Sequence, residues 1–496
     1  MNGFPGKQVV GVVGAGTMGA GIAQIAVAAG HRVLLFDARP VAAAAARAQI
    51  AAALTVLVGK GKLDERSRLA LMERVTAVEA LSDLAEAAIV IEVIVEDLAA
   101  KQKLMQDLET HVGPDTILAS NTSTISITAI AKGMRHPDRV VGMHFFNPVP
   151  QMKLVEVVSG AETSPDVATW IFELARRWGK TPVNARSTPG FIVNRIARPF
   201  YAEALQLLLE QAGTPEQLDE CARGAGFRMG PCELMDLIGH DINYAVTNSM
   251  FNATYGDRRF QPSLVQKALV DGGRLGRKAD KGIYDGAAVA SDVIAPSAPA
   301  VLEVHGNAPI AHHVAHLLGK RSIKFERLVD SDWNGMLVDG FVMRLTDGRS
   351  AAQLAGRAPL GVMDWPLGAT PGALAVAFSP SVDGVGRARV GAAMAACGWQ
   401  VRALRDVPGL LVARTVSMLV NEAADAVWQG VCDEASVDQA MRLGTNYPMG
   451  PFEWLAQIGV NATVGVLDNL DAAYRGERYR VSPLLRQRYW IDRKQS

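Results

Sequence analysis

The chain has little of anything that would place it in an unusual class. It has four cysteines in 496 residues, Cys221, Cys232, Cys397 and Cys432. They are scattered without CxxC spacing, so neither a disulfide framework nor a zinc site is indicated, and a reducing cytosol fits. Net charge is absent: 50 Lys+Arg balance 50 Asp+Glu, which gives no field for a nucleic-acid or membrane-surface partner. No run approaches 18 unbroken apolar residues, and the opening MNGFPGKQVVGVVGAG passes almost directly into a strand pattern without a charged leader or apolar signal core. The expectation is a cytoplasmic protein that engages neither membrane nor nucleic acid. What is present is an ordinary globular composition, 49% hydrophobic and 20% charged. The chain is too long for one core and is sized for about three or four domains.

From Gln8 to about Thr181, short β-branched runs alternate with longer Ala- and Leu-rich helical patterns: Val9 to Val13, Arg32 to Phe36, Ala88 to Val93, Thr116 to Ala119 and Val140 to Met143 are the strand candidates. Such alternation implies a parallel sheet covered by helices. Past Ser187–Gly190 the texture becomes helical, and the Ala-, Ser- and Pro-rich stretch Gly286 to Ala300 reads as a linker. An internal repeat then emerges. PGFIVNRIARPFYAEALQLL from Pro189 is echoed by PGLLVARTVSMLVNEAADAV from Pro408, and MGPCEL around Pro231 by MGPFEW around Pro451. The flanking ELARRWGKTPVNARSTPG and AAMAACGWQVRALRDVPG also match, so a degenerate αβ segment precedes the second helical copy.

Within VVGVVGAGTMGAGIAQIA, Gly14, Gly16 and Gly19 have GxGxxG spacing between a strand and a helix. Glycine lets the backbone turn tightly and approach a pyrophosphate, while the helix start offers free N–H groups to the phosphates. Alone the motif is weak in a chain with 47 glycines; its strand-to-helix setting and Asp37, 23 residues past Gly14 at the end of HRVLLFD, strengthen it. A carboxylate there accepts from adenine ribose hydroxyls and repels a 2′-phosphate, which favours NAD over NADP. Arg39 is the one feature that softens that preference.

Removing hydride from a secondary alcohol needs a base for the hydroxyl proton, and a neutral imidazole suits it. His144 follows the strand-like RVVGM at the carboxyl end of the sheet, and Glu156 in KLVEVV could fix its tautomer. On the residues alone, a histidine near a strand end is more often a satisfied structural residue, and that reading stays open. The residues by themselves reach an NAD-dependent oxidoreductase with a histidine base.

Three long ordered strings go further. SNTSTISIT (Ser120 to Thr128), HFFNPVPQMKLVEVV (His144 to Val158) and TPGFIVNR (Thr188 to Arg195) resemble the signature stretches of the short-chain L-3-hydroxyacyl-CoA dehydrogenase family. The resemblance runs from residue 8 to about 285. It implies NAD-dependent oxidation of a (S)-3-hydroxyacyl-CoA to the 3-oxoacyl-CoA, with His144 as base, Glu156 as its partner, and Ser123 and Asn194 as donors around the substrate hydroxyl and thioester. It also implies cofactor contacts at Glu96, Lys101, Asn147 and Lys278, and a coenzyme A contact at Lys60. Each has a plainer reading: Glu96, Lys101 and Lys278 as solvated charges, Asn147 as a turn cap before Pro148, and Lys60 as a helix-end lysine. Cys232 departs from the family, which usually has an aromatic after MGP.

In the repeat the residue aligned with His144 is Val376 (HFFNP against VAFSP), and Asn194 is replaced by Ala413. No strand followed by GxGxxG occurs between Gly286 and Trp365. The second half therefore reads as a structural duplicate without catalytic chemistry, its helices standing in for those of a partner subunit, in a monomer or homodimer. Two copies in about 500 residues resemble the bacterial 3-hydroxyacyl-CoA dehydrogenases of aromatic or fatty-acid catabolism, including the 3-hydroxybutyryl-CoA and 3-hydroxyadipyl-CoA enzymes. The expected domains are a Rossmann-type α/β NAD-binding domain (1–186), an all-α domain (187–285), a linker and degenerate Rossmann-like segment (286–405) and a second all-α domain (406–496). A dehydrogenase of a free hydroxy acid and a non-catalytic NAD-binding protein are the alternative functions.

Overall fold

The computed structural model describes residues 8–285 and 295–495, so most of the expected linker lies outside the described residues. The chain divides into two compact units: residues up to Asn194 together with Gly430–Gly444, and Arg195–Gln429 together with Thr445 onward.

The first unit is built on an eight-stranded sheet: β1 (Val9–Val13), β2 (Arg32–Phe36), β3 (Val75–Ala77), β4 (Ile89–Glu92), β5 (Ile117–Ser120), β6 (Val140–Phe145), β7 (Leu154–Ser159) and β8 (Thr181–Arg186). Their order is β3-β2-β1-β4-β5-β6-β7-β8. All neighbours are parallel except β6 and β7. Parallel strands must be covered on both faces, which is why β1, β4 and β5 read as unbroken apolar runs and are almost entirely buried. All five strands expected from the alternation are present. The short β3 has too few residues to show a pattern. Helix Ala42–Gly59 is the one helix, among the described residues, long and apolar enough to cross a membrane by composition. Here it buries Ala43, Ala46, Ile50 and Leu54 in the core of this unit.

The second unit holds the helical domain of the first copy, a second sheet and most of the second helical domain. The second sheet comprises β9 (Leu302–His305), β10 (Glu326–Leu328), β11 (Gly335–Val338), β12 (Phe341–Leu345), β13 (Gly361–Met363), β14 (Ala373–Phe378) and β15 (Gln400–Ala403), in the order β10-β9-β11-β12-β13-β14-β15. From β12 onward it repeats the last four strands of the first sheet, with a parallel, an antiparallel and a parallel pairing in turn. At its other end β9 and β11 are antiparallel, whereas β1 and β4 are parallel.

Helices Arg198–Leu209 and Val412–Trp428 occupy equivalent places in the two copies and pack together inside the second unit. Their ion pairs are reciprocal. Arg195 Nε donates to Glu422 at 2.6 Å, and Arg414 Nε donates to Glu203 at 2.5 Å. Arg195 and Arg414 hold the same place in the repeat, and each glutamate lies eight residues beyond the arginine of its own copy. A two-fold interface has this form: residue i of one half meets j of the other, and j meets i.

The copies also exchange a helix. Helix Pro215–Gly224 of the first copy packs on β14 of the second sheet, so closely that a Cβ on Gly224 would lie 2.0 Å from the Ala373 carbonyl oxygen. Helix Glu434–Gly444 of the second copy packs on β7 and β8 of the first sheet, where a Cβ on Gly444 would meet Leu154 at 2.8 Å.

Candidate active site

At the carboxyl end of β1 the backbone reverses through Gly14 at φ +106°, and a Cβ there would strike the Val93 carbonyl at 2.6 Å. Gly19 is needed for helix packing, since its Cβ would lie 1.8 Å from the Gly14 oxygen. Gly16 differs: a Cβ on it would meet nothing within 4 Å. It begins helix Thr17–Ala28, whose first turn no side chain caps. That open, uncapped start fits the pyrophosphate of a dinucleotide. Asp37, at the end of β2, accepts from the Ala15 N–H at 2.7 Å and so ties the glycine loop to the adjoining strand. Arg39 forms an ion pair with the same carboxylate at 2.9 Å. Hydrogen bonds from Arg39 chiefly, with the Ala15 and Arg39 N–H groups, hold the Asp37 carboxyl down at about 2 despite its partial burial.

His144, next to last in β6, lies opposite Glu156 on β7, because the antiparallel register places those two residues side by side. Its Nδ1 lies 2.5 Å from Glu156 Oε2, with His144 6% and Glu156 0% exposed. The other Glu156 oxygen accepts from the Ile192 and Val193 N–H groups at 2.9 and 3.0 Å. The chain reaches that position through two consecutive left-handed residues, Gly190 at φ +72° and Phe191 at φ +49°. Phe146 and Phe191 flank the imidazole, with ring centroids at 4.5 and 5.9 Å. Glu156 thus orients the histidine and also anchors the segment carrying Asn194, whose amide donates to the Ser123 carbonyl at 3.4 Å.

Ser123 is half-buried in the loop after β5. Its N–H and hydroxyl both donate to Glu96, as do the hydroxyls of Thr122 and Thr124. Burial would raise the Glu96 carboxyl, but the Thr122 hydroxyl, Lys101 and the Ser123 N–H outweigh it and keep it below the usual carboxylate range. Lys101 is no solvated charge. It is 1% exposed, with its ammonium 2.6 Å from Glu92 and 3.4 Å from Glu96. Glu92, which sequence reasoning missed, ends β4 and also accepts from the Ser120 hydroxyl at 2.6 Å. Asn121, also missed, accepts from the Phe145 N–H at 2.8 Å and fixes the end of β6 beside the His144–Glu156 pair. A charged residue ending a buried strand was the available signal for Glu92. Asn147 is exposed, and Lys60 is exposed at the end of helix Ala42–Gly59. Lys278 lies in the second unit, paired with Asp241 at 2.5 Å.

Models of known families match almost the whole described chain. The "3-hydroxyacyl-CoA dehydrogenase, NAD binding domain" matches residues 9–188, and the "3-hydroxyacyl-CoA dehydrogenase, C-terminal domain" matches twice, at 190–286 and 409–495. The chain belongs to the 3-hydroxyacyl-CoA dehydrogenase family. A "3-hydroxybutyryl-CoA dehydrogenase reduced Rossmann-fold domain" matches residues 343–408. The 3-hydroxyadipyl-CoA dehydrogenase of Escherichia coli K12 is 44% identical over 98% of both chains. A crystal structure of 3-hydroxybutyryl-CoA dehydrogenase from Escherichia coli K12 superposes with a TM-score of 0.90 at 42% identity, covering 99% of this chain and 100% of that one. A probable 3-hydroxybutyryl-CoA dehydrogenase of Bacillus subtilis is 40% identical over 56% of this chain and 97% of its own. The protein is an NAD-dependent oxidoreductase of 3-hydroxyacyl-CoA thioesters.

The second copy of this dehydrogenase corrects one expectation. Glu156 pairs with Val183 and Ala375 pairs with Arg402, and both partners lie seven residues before the glycine of the PG step. Ala375 is therefore the counterpart of Glu156. The N–H of Asp364 donates to the Ala375 carbonyl at 2.9 Å, so the counterpart of His144 is Asp364 and not Val376. VAFSP matched HFFNP by composition but lies on β14, one strand too far. Asp364 accepts from the N–H groups of Leu411, Val412 and Ala413 at 2.9, 2.6 and 2.8 Å. It serves the backbone as Glu156 does, from the histidine's position, with no imidazole. The turn after β9 is likewise reduced. Gly306 keeps the left-handed φ of +87°, but Ala308 and Ala311 stand where Gly16 and Gly19 would be, and the Asn334 side chain accepts from the Ala308 N–H at 3.0 Å.

Proposed function

We propose that His144 is the base, Glu156 its orienting partner, and Ser123 and Asn194 the donors that hold the substrate hydroxyl and thioester carbonyl. The 2.5 Å contact between His144 Nδ1 and Glu156 carries this reading. With Nδ1–H directed at the carboxylate, the neutral imidazole keeps its lone pair on Nε2, free to take the hydroxyl proton. The imidazolium that forms is stabilised by Glu156, which two backbone N–H groups hold in place. Phe146 and the buried Phe191 flank the ring and limit the access of water to it. NAD, held by Gly14, Gly16, Gly19 and Asp37, supplies the hydride acceptor. Glu96 and Lys101 act as one element with Glu92, shaping the loop that carries Ser123, and Asn147 and Lys278 are the further cofactor contacts of this reading. Lys60 is its coenzyme A contact.

The same reading places the enzyme in the cytoplasm, in fatty-acid or aromatic-compound catabolism. The substrates to which it points are short thioesters, 3-hydroxybutyryl-CoA and 3-hydroxyadipyl-CoA, on which the similar enzymes act by name. The reciprocal Arg–Glu pairs support a second copy that replaces the partner subunit's helices within one chain. The test is NADH oxidation with acetoacetyl-CoA against free acetoacetate: turnover of the thioester alone is expected, and equal turnover of the free acid would overturn it.

A further inference from the structure

The second unit contains a cavity of about 220 Å³ between helix Arg198–Leu209, the segment Arg258–Leu264 and the stretches Tyr474–Gly476 and Arg478–Tyr479 of the second copy. Five arginines line it, Arg198, Arg258, Arg259, Arg475 and Arg478, and among the described residues no aspartate or glutamate does. Two of the five are already paired behind the wall. Arg259 meets Glu422 and Asp425 at 3.0 and 2.5 Å, and Arg478 meets Glu203 at 2.8 Å. The exposed side chains of Arg258 and Arg475 form no ion pair or hydrogen bond among the described residues.

The internal repeat explains why Arg258 is left over. GDRRF (Gly256 to Phe260) aligns with GERYR (Gly476 to Arg480), and both glycines are left-handed, at φ +87° and +102°, so Arg258 and Arg478 are counterparts. Arg478 is committed to Glu203. The counterpart of Glu203 is Glu422, which Arg195 at 2.6 Å and Arg259 at 3.0 Å already hold. A second group is left over as well. Tyr201 lines the cavity, is 7% exposed, and its hydroxyl forms no hydrogen bond among the described residues. The Arg198 guanidinium lies 4.8 Å from the centre of its ring and offers no acceptor. Burial pushes the phenol up against the lowering effect of Arg198, so at neutral pH it is a donor. A buried hydroxyl left unpartnered is destabilising and calls for an acceptor.

We infer that this cavity binds the phosphate group of a small phosphorylated ligand, with Arg258 and Arg475 supplying the counter-charge and Tyr201 donating its hydroxyl. Two arginines without carboxylates call for about two negative charges, and a phosphate group carries about −1.5 to −2 at pH 7 on three acceptor oxygens, where a carboxylate carries one. Guanidinium groups match phosphate geometry with paired N–H donors. Arg258 and Tyr201 come from the first copy and Arg475 from the second, so the second copy has a part in binding beyond standing in for a subunit. The site does not depend on the roles given to His144 and its neighbours.

The experiment is calorimetric titration of the full-length enzyme, its dinucleotide site filled with saturating NADH, with inorganic phosphate, pyrophosphate and, at matched ionic strength, acetate. Phosphate and pyrophosphate are expected to bind with Kd of roughly a millimolar or tighter, and acetate about tenfold more weakly. Arg258→Met should weaken pyrophosphate binding about tenfold or more, with partial recovery in Arg258→Lys, and Tyr201→Phe should weaken it several-fold. Arg258 is exposed and the tyrosine change removes an unpartnered hydroxyl, so without phosphate both variants should melt no earlier than wild type. Both should lose most of the rise in melting temperature that pyrophosphate gives wild type. No binding of pyrophosphate by wild type, acetate bound as tightly as phosphate, or an unchanged pyrophosphate Kd in Arg258→Met would overturn the site.

Discussion

Replacing Glu203 by glutamine tests whether the two copies are joined as the halves of a two-fold interface. Arg414 is 0% exposed, and its Nε faces Glu203 at 2.5 Å; Glu203 also accepts from Arg478 at 2.8 Å and from the Tyr479 hydroxyl at 3.0 Å. Removing the anion leaves a buried guanidinium short of counter-charge. Breaking such a pair ordinarily costs about 3–5 kcal/mol. Arg414 retains the Tyr474 and Tyr479 hydroxyls and Glu210 at 3.5 Å, so the lower end, about 3 kcal/mol, is expected. The reciprocal change, Glu422→Gln, should cost less, about 1–2 kcal/mol. Glu422 also pairs with Arg259 at 3.0 Å, which keeps Asp425 at 2.5 Å and Asp257 at 3.2 Å, while Arg195 keeps its hydrogen bond to the Gln429 side-chain oxygen at 2.9 Å. The assay is urea unfolding followed by tryptophan fluorescence, since Trp365, Trp399 and Trp454 are all buried in the second unit. The double variant Glu203→Gln/Arg414→Met should be less destabilised than the sum of its singles by roughly 2 kcal/mol. A coupling below about 0.5 kcal/mol would refute the pairing, and equal costs for the two glutamates would refute the ranking drawn from their remaining partners.

Three further outcomes are expected. His144→Ala should lower kcat by roughly 10²- to 10⁴-fold with NAD binding retained; unchanged turnover would remove the histidine from the chemistry. Gly16→Ala should weaken NAD binding while leaving the unfolding midpoint in place, because its Cβ enters open space, whereas Gly19→Ala should destabilise the fold; calorimetric titration and thermal melts separate the two. Burial raises the Asp364 carboxyl to about 6 against four N–H donors that lower it. The native state then binds more protons than the unfolded one between about pH 4 and 6. Stability from this group therefore falls as pH rises through that window, by up to about 3 kcal/mol, and is flat above it. Asp364→Asn should abolish that component, and wild-type and variant denaturation midpoints running parallel from pH 4 to 7 would contradict it.

How much of this was legible in the sequence depended on whether a residue's role is local. Gly14, Gly16 and Gly19 declare themselves because strand, turn and helix succeed one another within a dozen residues. The pairing of His144 with Glu156 needed only the register of one hairpin. Asn194 needed the family strings, since nothing local tells a helix-start asparagine near a loop serine from a surface one. The partners of Lys101 were hidden because Glu92 ends β4 while Lys101 lies on the helix that follows, Leu98–His111, and only the turn between them brings the two charges together. The second copy shows the limit most clearly. A linear comparison slid VAFSP onto HFFNP, because apolar strand residues are interchangeable letter by letter, while the hydrogen-bond register is not. Once β13 and β14 are in register, position 364 is where a base would stand, and it carries an acid that four backbone N–H groups already occupy. Alanine at 375, where the first copy has Glu156, leaves the helix start needing an acceptor. The aspartate at 364 meets that need from the histidine's position.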